Sequence, residues 1–456
     1  MRQPVDRRGR LHIRGLVFAF LKQMDRNLGF VMKKQIEKKE IKWAKLDNTA
    51  NLFPVIATES MTNVYRISVT LTEPVERDLL QEALIKVLPK FESMNVQLRT
   101  GVFWYYFETN RKGAPIVKEE EDYPCRYIQS RMNRNFLFRV TYYKRRINLE
   151  VFHALADGMG GVNFLRELTY QYLRLKYPQV TSHTGDHLSD RTSLNTEDSY
   201  LKNYKKSQPK GYKSEPAVHI TGEKLQGHAL QVIHGYMSVT QLKKVAKAVG
   251  LSINEYLASV YTYSIYKEYL HGSVSKKPIV LCIPVNLRPF FESFTTRNFF
   301  AMVSASFRPT KEEYSLEEVT QIVVKSLREQ ITKEHLEKLF SYNVSNQKNL
   351  VLRAVPLFLK KFAMKYVYNT SAGATTTTMT NIGVMHVDEI YQPFVKRFSA
   401  ILSVSKGQNI KGTICSYGDE LNVTFSSILK DTSVQRRFFR TLVQAGIDVA
   451  IESNGE

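Results

Sequence analysis

Apolar residues along the chain follow two spacings, and the switches between them outline its elements. The stretch Asn63-Val-Tyr-Arg-Ile-Ser-Val-Thr-Leu71 alternates and is β-branched, which predicts a strand. After Pro74 the interval lengthens: Leu79, Leu80, Ala83, Leu84, Val87 and Leu88 recur at helical spacing and predict a helix over 76–88. An aromatic strand is expected at 102–107. A hairpin follows over 136–143 and 147–153, with Lys144-Arg145-Arg146 at its turn. Val162, Leu165, Leu168, Tyr172 and Leu175 then share one face of a helix over 161–176.

From 178 to 215 the periodicity lapses into Pro, Ser, Thr, Asp, Gly and Lys, the composition of a linker. A second series begins beyond it. A strand is predicted over 230–237, with Ser238 capping a helix to 249 and Ser252 capping a tyrosine-rich helix to about 270. Strands are expected at 278–285 and 299–307. Long helices follow at 316–340 and 346–368, the second kinked at Pro356. A Thr-rich strand at 374–381, further strands to about 428 and a helix from Val434 complete the reading.

Composition narrows the class. The 456 residues are too many for one ordinary core, and 43% hydrophobic with 24% charged is a globular balance. Cys125, Cys282 and Cys415 are too far apart to form a metal motif and odd in number, which argues against a disulfide framework and for a reducing, cytoplasmic setting. The apolar run 15–21 ends at Lys22 with no small-residue cleavage site after it, so the start reads as an amphipathic or partly buried segment rather than a signal peptide. Net charge is +22, and residues 1–46 hold 13 Lys/Arg against 4 Asp/Glu. Such a field attracts phosphates, an acidic carrier protein or an anionic membrane surface. No helix-turn-helix, zinc or RNP-type motif accompanies the charge, so nucleic acid is not an expected partner.

The chemistry concentrates in Glu150-Val-Phe-His153-Ala-Leu-Ala-Asp157-Gly158-Met-Gly160-Gly161. A strand should end at His153, a turn should hold Asp157 and the glycines, and a helix should start at Gly161. A side chain at a strand end is well fixed, and an imidazole that titrates near neutrality suits a general base. Gly158 is expected to supply backbone freedom. Taken alone, the pattern also admits a structural histidine beside a helix-capping aspartate. No HExxH, Cys/His cluster, dinucleotide loop or nucleophile elbow competes with it, so no metal and no tightly bound cofactor is expected.

His153-x-x-x-Asp157-Gly158 resembles the signature of the superfamily that holds chloramphenicol acetyltransferase, plant BAHD acyltransferases, condensation domains and bacterial alcohol acetyltransferases. Three further stretches are similar to family motifs and in the same order. Lys45-Leu-Asp-Asn48 resembles the start of the alcohol acetyltransferase branch. Pro284-Val-Asn-Leu-Arg288-Pro289 with Arg297-Asn298-Phe299 resembles the second-lobe motif, and Thr380-Asn381-Ile382-Gly383 the strand facing the histidine. The resemblance runs from about Trp43 to Ile451 and is nearest to the alcohol acetyltransferase-like proteins. Phe152 stands where peptide-forming condensation domains usually carry a second histidine, and the plant-type Asp-Phe-Gly-Trp-Gly motif is missing. The first favours a free-standing acyltransferase over a peptide synthetase module, and the second argues against BAHD membership beyond the shared fold.

The resemblance implies an α/β fold of two chloramphenicol-acetyltransferase-like lobes, each a mixed sheet with flanking helices and an active-site channel between them. Segment 1–45 would be a basic N-terminal segment, 46–178 the first lobe, 179–215 the inter-lobe linker and 216–456 the second lobe. It implies acyl transfer from acyl-CoA or an acyl carrier protein to an alcohol or amine, with CoA as co-substrate. His153 would be the base. Asp157 would be structural and paired with Arg288, and Thr380 or Asn381 would donate to the oxyanion, although the Thr run equally fits β-propensity. A chain that keeps the fold as a catalytically silent binding protein is the alternative.

Overall fold

The computed structural model describes residues 42–47, 49–181, 197–206, 215–348 and 354–455. The chain divides into two units, 1–43 and 44–456, and both large sheets lie wholly in the second. The alternating stretch near residue 64 forms a strand, Val64–Leu71, antiparallel to Arg146–Phe152, with Val64 opposite Phe152 and Thr70 opposite Arg146. Together they centre a five-stranded sheet in the order Val395–Leu402, Val64–Leu71, Arg146–Phe152, Phe138–Tyr143, Lys118–Glu119. Ile67, Val69, Ile147, Leu149 and Val151 share one core with Leu80, Leu84, Leu165 and Leu168 of the helices Arg77–Val87 and Gly158–Lys176. That burial is the main reason the two amphipathic helices persist.

The second half builds a seven-stranded sheet. Its order is Phe300–Phe307, Ile279–Asn286, Thr377–Val384, Ile410–Tyr417, Glu420–Ser427, Gln231–Ser238, Val449–Ser453. Thr377–Val384 runs parallel to both neighbours, while the other pairs are antiparallel, so the sheet is mixed. Helices Ile253–Glu268, Leu316–Gln330 and Ser433–Gln444 contribute to its core through Leu257, Val323 and Phe438 among others. The sheets are stitched together by one strand: Val395–Leu402 belongs to the C-terminal half in sequence but pairs with Val64–Leu71, Ile401 lying opposite Arg66.

Several expectations shift. The helix expected over 316–340 is two helices, Leu316–Gln330 and Lys333–Lys348. Thr332 accepts a hydrogen bond from the His335 amide at 3.2 Å, a capping signal that the unbroken apolar spacing hides. Pro356 does not kink a helix but precedes one, Leu357–Ala372. The aromatic strand starts later, at Tyr105–Thr109, and pairs with an unforeseen strand, Val96–Thr100. The expected linker opens on a helical turn, Pro178–Thr181, and its residues 197–206 are anchored. Tyr200 is buried, donates to the Phe300 carbonyl at 2.7 Å and accepts from its amide at 3.0 Å, while the Thr295 hydroxyl donates to the Glu197 carbonyl. Residues 182–196 and 207–214 of that linker, like 1–41, lie outside the described residues.

Candidate active site

His153 follows the last residue of Arg146–Phe152, and its amide donates to the Asn63 carbonyl at 2.9 Å. The ring stacks on Phe53 (4.7 Å between centroids, 18° between planes), meets Tyr65 edge-on at 5.2 Å and lies 5.9 Å from Phe300. These aromatic walls leave the residue half-buried, and Nδ1 is the enclosed atom, with no hydrogen-bond partner at full geometry. Burial holds the imidazole below the ordinary histidine pKa. Its own carbonyl, the Asp157 charge and the Asn298 side chain oppose that shift, and Lys411 adds to it.

The helix after the motif begins at Gly158, not Gly161, because Asp157 is its N-cap. Asp157 Oδ1 accepts from the Gly160 amide at 3.1 Å and Oδ2 from the Phe299 amide at 3.0 Å. Arg288 Nη2 lies 2.9 Å from Oδ2, with both side chains nearly buried. The guanidinium also donates to the carbonyls of Thr295 (2.9 Å) and Arg297 (2.7 Å), so its charge is shared over a loop as well as the carboxylate. From the other side, the Tyr65 hydroxyl donates to the Asp157 carbonyl at 2.7 Å. The turn that aims His153 is thus tied to both sheets.

Gly158 does not play the role expected of it. Its backbone angle is ordinary, and an added Cβ would meet only Ile382 at 3.8 Å. The glycine set against backbone is Gly160, where a Cβ would sit 2.3 Å from the Thr296 carbonyl oxygen; one on Gly161 would meet the Tyr65 hydroxyl at 2.7 Å. Close backbone approach, rather than conformational freedom, explains the glycine.

Thr380 and Asn381 lie on Thr377–Val384, next to the bulge between Asn381 and Gly383. The Asn381 amide nitrogen donates to Asn254 Oδ1 at 2.6 Å, and its oxygen accepts from the Gly383 amide at 2.7 Å. Both ends of that side chain are therefore engaged locally. Thr380 is half-buried and lies opposite Thr413.

Several groups around the ring escaped sequence reasoning. Asn298 donates from Nδ2 to Asp47 Oδ2 at 2.9 Å, and its Oδ1 is buried without a partner at full geometry. Asp47 also accepts from the Ala50 amide at 2.8 Å, yet burial pushes its carboxyl up to about 6. Both residues sit inside stretches that carry the family resemblance, but a contact 251 residues apart leaves no trace in spacing. Lys411 on Ile410–Tyr417 is buried, donates to the Ser405 hydroxyl at 2.5 Å, and is pulled down to about 8 by desolvation. No signal in the sequence marked Lys411, since a lone lysine in a strand reads as solvent-facing.

No protein-family model matches the chain, and no curated protein matches it in sequence. Solved structures match it in shape. Polyketide synthase associated protein 5 from Mycobacterium tuberculosis aligns with a TM-score of 0.56 and 13% identity, covering 87% of this chain and 96% of that one. The TRI3 trichothecene 15-O-acetyltransferase of Fusarium sporotrichioides gives 0.56 and 11%, covering 89% and 95%. Fusarium sporotrichioides TRI101, solved with coenzyme A and T-2, gives 0.58 and 10%, covering 91% and 100%. At these identities the likeness concerns the fold: the chain has the two-lobed architecture shared by condensation domains and acetyltransferases of the chloramphenicol acetyltransferase type.

Proposed function

We propose that this chain is an acyltransferase, of the alcohol O-acetyltransferase kind, that moves an acyl group from acyl-CoA or an acylated carrier protein to an alcohol or amine. The observation that carries the reading is the setting of His153: a half-buried imidazole, walled by Phe53, Tyr65 and Phe300, on a turn held by Asp157 and Arg288. Its own carbonyl and the Asn298 side chain both act to raise its proton affinity, as acceptors beside an N–H do. In this reading the enclosed Nδ1 carries the hydrogen and Nε2 presents its lone pair to the acceptor.

In this scheme the acceptor O–H or N–H bond breaks to Nε2 as the oxygen or nitrogen forms a bond to the thioester carbonyl carbon. The tetrahedral intermediate collapses with cleavage of the C–S bond. The thiolate leaves as a thiol by taking the proton back from His153, so the histidine ends as it began. Asp157 and Arg288 position the base without touching the substrate. The oxyanion donor in this reading is Thr380 or Asn381, whose amide keeps a second N–H beyond the one given to Asn254. Transfer is direct. All three cysteines are buried, and burial raises their thiol pKa values, Cys282 to about 11 and Cys415 to about 12, which makes them poor nucleophiles near neutrality. The net charge of +22 suits the phosphates of the donor.

The test is thiol release from acetyl-, malonyl- and long-chain acyl-CoA against mixed alcohols and amines, with His153→Ala beside the wild type. Release that depends on acceptor and falls at least about 100-fold in the variant supports the reading. Full activity in His153→Ala overturns the base assignment, an acylated protein at turnover overturns direct transfer, and no release with any pair favours a binding protein.

A further inference from the structure

We propose that the outward face of the helix Leu357–Ala372, with the adjoining residues Val102 and Phe103, is a docking surface for an anionic lipid bilayer. Much of the helix's apolar surface is left exposed. Phe358, Leu359, Phe362, Tyr366 and Val367 fall on one stripe at helical spacing, the pattern that ordinarily faces a core. Here the stripe faces outward: Phe362 is 74% exposed and Tyr366 72%. The buried residues of the helix are Leu357 and a lysine, Lys360. Lys360 is 8% exposed, donates to the Phe103 carbonyl at 3.1 Å and lies 3.4 Å from the centre of the Trp104 ring.

The apolar surface continues past the helix. The Leu357 amide donates to the Val102 carbonyl at 2.8 Å, which fixes the helix start against the loop where Val102 and Phe103 are exposed. Contiguous exposed aromatic and aliphatic groups of this extent mark an interaction surface.

Charge chooses the occupant. The helix carries no acidic residue, and with Lys360 turned inward its outward cations are the half-buried Lys361 and the exposed Lys365. Lys365 is exposed beside Phe362 and Tyr366, the pairing of basic and aromatic groups that binds an interface of acidic headgroups over acyl chains. A second copy of the same face would set lysines against lysines. The chain's own first 46 residues are basic as well, with 13 Lys/Arg against 4 Asp/Glu, so they share the bilayer's attraction rather than complement the helix. No helix among the described residues is long and apolar enough to cross a membrane, and the surface proposed is peripheral.

Its placement gives the docking a use. Leu357–Ala372 packs against the short helix Phe53–Ile56, and Phe53 is the residue stacked on the His153 ring. A bilayer on this face would lie one helix away from the imidazole and would deliver an acceptor alcohol carried on a lipid. That last step rests on the acyl-transfer reading, while the docking itself does not.

The test uses the full chain and measures binding without turnover. Wild type and the Phe362→Ser/Tyr366→Ser variant are sedimented with phosphatidylcholine vesicles, with and without about 30 mol% phosphatidylglycerol. Both positions are solvent-facing, and matching thermal unfolding curves confirm that the variant is folded. The expected result is binding that requires phosphatidylglycerol, weakens with salt, and falls about tenfold or more in the variant. Two results overturn the proposal. One is a wild type that stays in the supernatant. The other is a variant that sediments like wild type, which would assign any binding to the basic N-terminal stretch. Thiol release with a water-soluble acceptor, unchanged in the variant, separates loss of docking from failure of the catalytic reading.

Discussion

Arg288 and Asp157, 131 residues apart in the chain, meet at 2.9 Å with their side chains almost wholly enclosed. The contact joins the turn after His153 to the loop before Phe300–Phe307, so the second half of the chain holds the histidine of the first. Arg288→Leu should leave a buried carboxylate with only the Gly160 and Phe299 amides, at a cost of about 3–5 kcal/mol. Urea unfolding would show the midpoint falling with little change in slope. An unchanged midpoint would mean that the pair is not the lock described.

The glycines of the motif should separate sharply. Gly160→Ala forces a Cβ to within 2.3 Å of a backbone carbonyl that has no rotamer to yield, and a loss of about 1–3 kcal/mol or more is expected. Gly158→Ala meets only ordinary contact, at the first residue of a helix that gains from alanine, and should stay within about 1 kcal/mol of wild type. Thermal unfolding of the two variants compares them directly. Equal losses would contradict the close approach at Thr296.

What the sequence made legible was whatever depends on local spacing. The strand and helix flanking His153, the caps at Ser238 and Ser252, and the order of elements all come from residues within a few positions of each other. The partnership of Asp157 with Arg288 came from family resemblance, and no periodicity would have produced it. Arg66, Glu150 and Asn148 illustrate the converse failure. They alternate with apolar residues along two strands as a solvent face would, yet all are buried, with Glu150 bound by Arg66 and Arg139. An alternating strand reports one apolar face, and it cannot report that a second layer covers the polar one. The helix 357–372 misleads in the same way, since its apolar stripe points outward.

The pH dependence of acyl transfer derives from burial of His153. A base acts when unprotonated, and desolvation holds this imidazole below the ordinary histidine pKa of about 6.5. The acidic limb of kcat/KM should therefore fall below about 6.5, with activity retained at pH values where a solvated histidine would already be protonated. Asn298→Ala removes a group that raises the ring's proton affinity, so its limb should move further to the acid side. A limb at or above 6.5 in the wild type, or a shift toward base in the variant, would contradict the environment assigned to the ring.

Lys411 offers the sharpest stability test, because its cation has little to hold it. The ammonium is buried, the Ser405 hydroxyl accepts its hydrogen bond, and the neighbouring charges that perturb it are thiols rather than carboxylates. Its pKa falls to about 8 in the folded chain, against about 10.4 when unfolded. Between those values the unfolded chain holds a proton that the folded one has released, so folding stability rises with pH across that window. Below about 8 the full cost of burying the charge is present. Lys411→Met keeps the length and removes the charge, and should stabilise the fold by about 1–3 kcal/mol near pH 7. The advantage should shrink toward pH 10, where the folded lysine is neutral and the proton it sheds on folding costs little, because the unfolded lysine is itself close to its pKa. Unfolding free energies of both proteins at the two pH values settle it: a variant less stable than wild type at pH 7, or one whose advantage grows with pH, would mean that the cation is paired inside the fold.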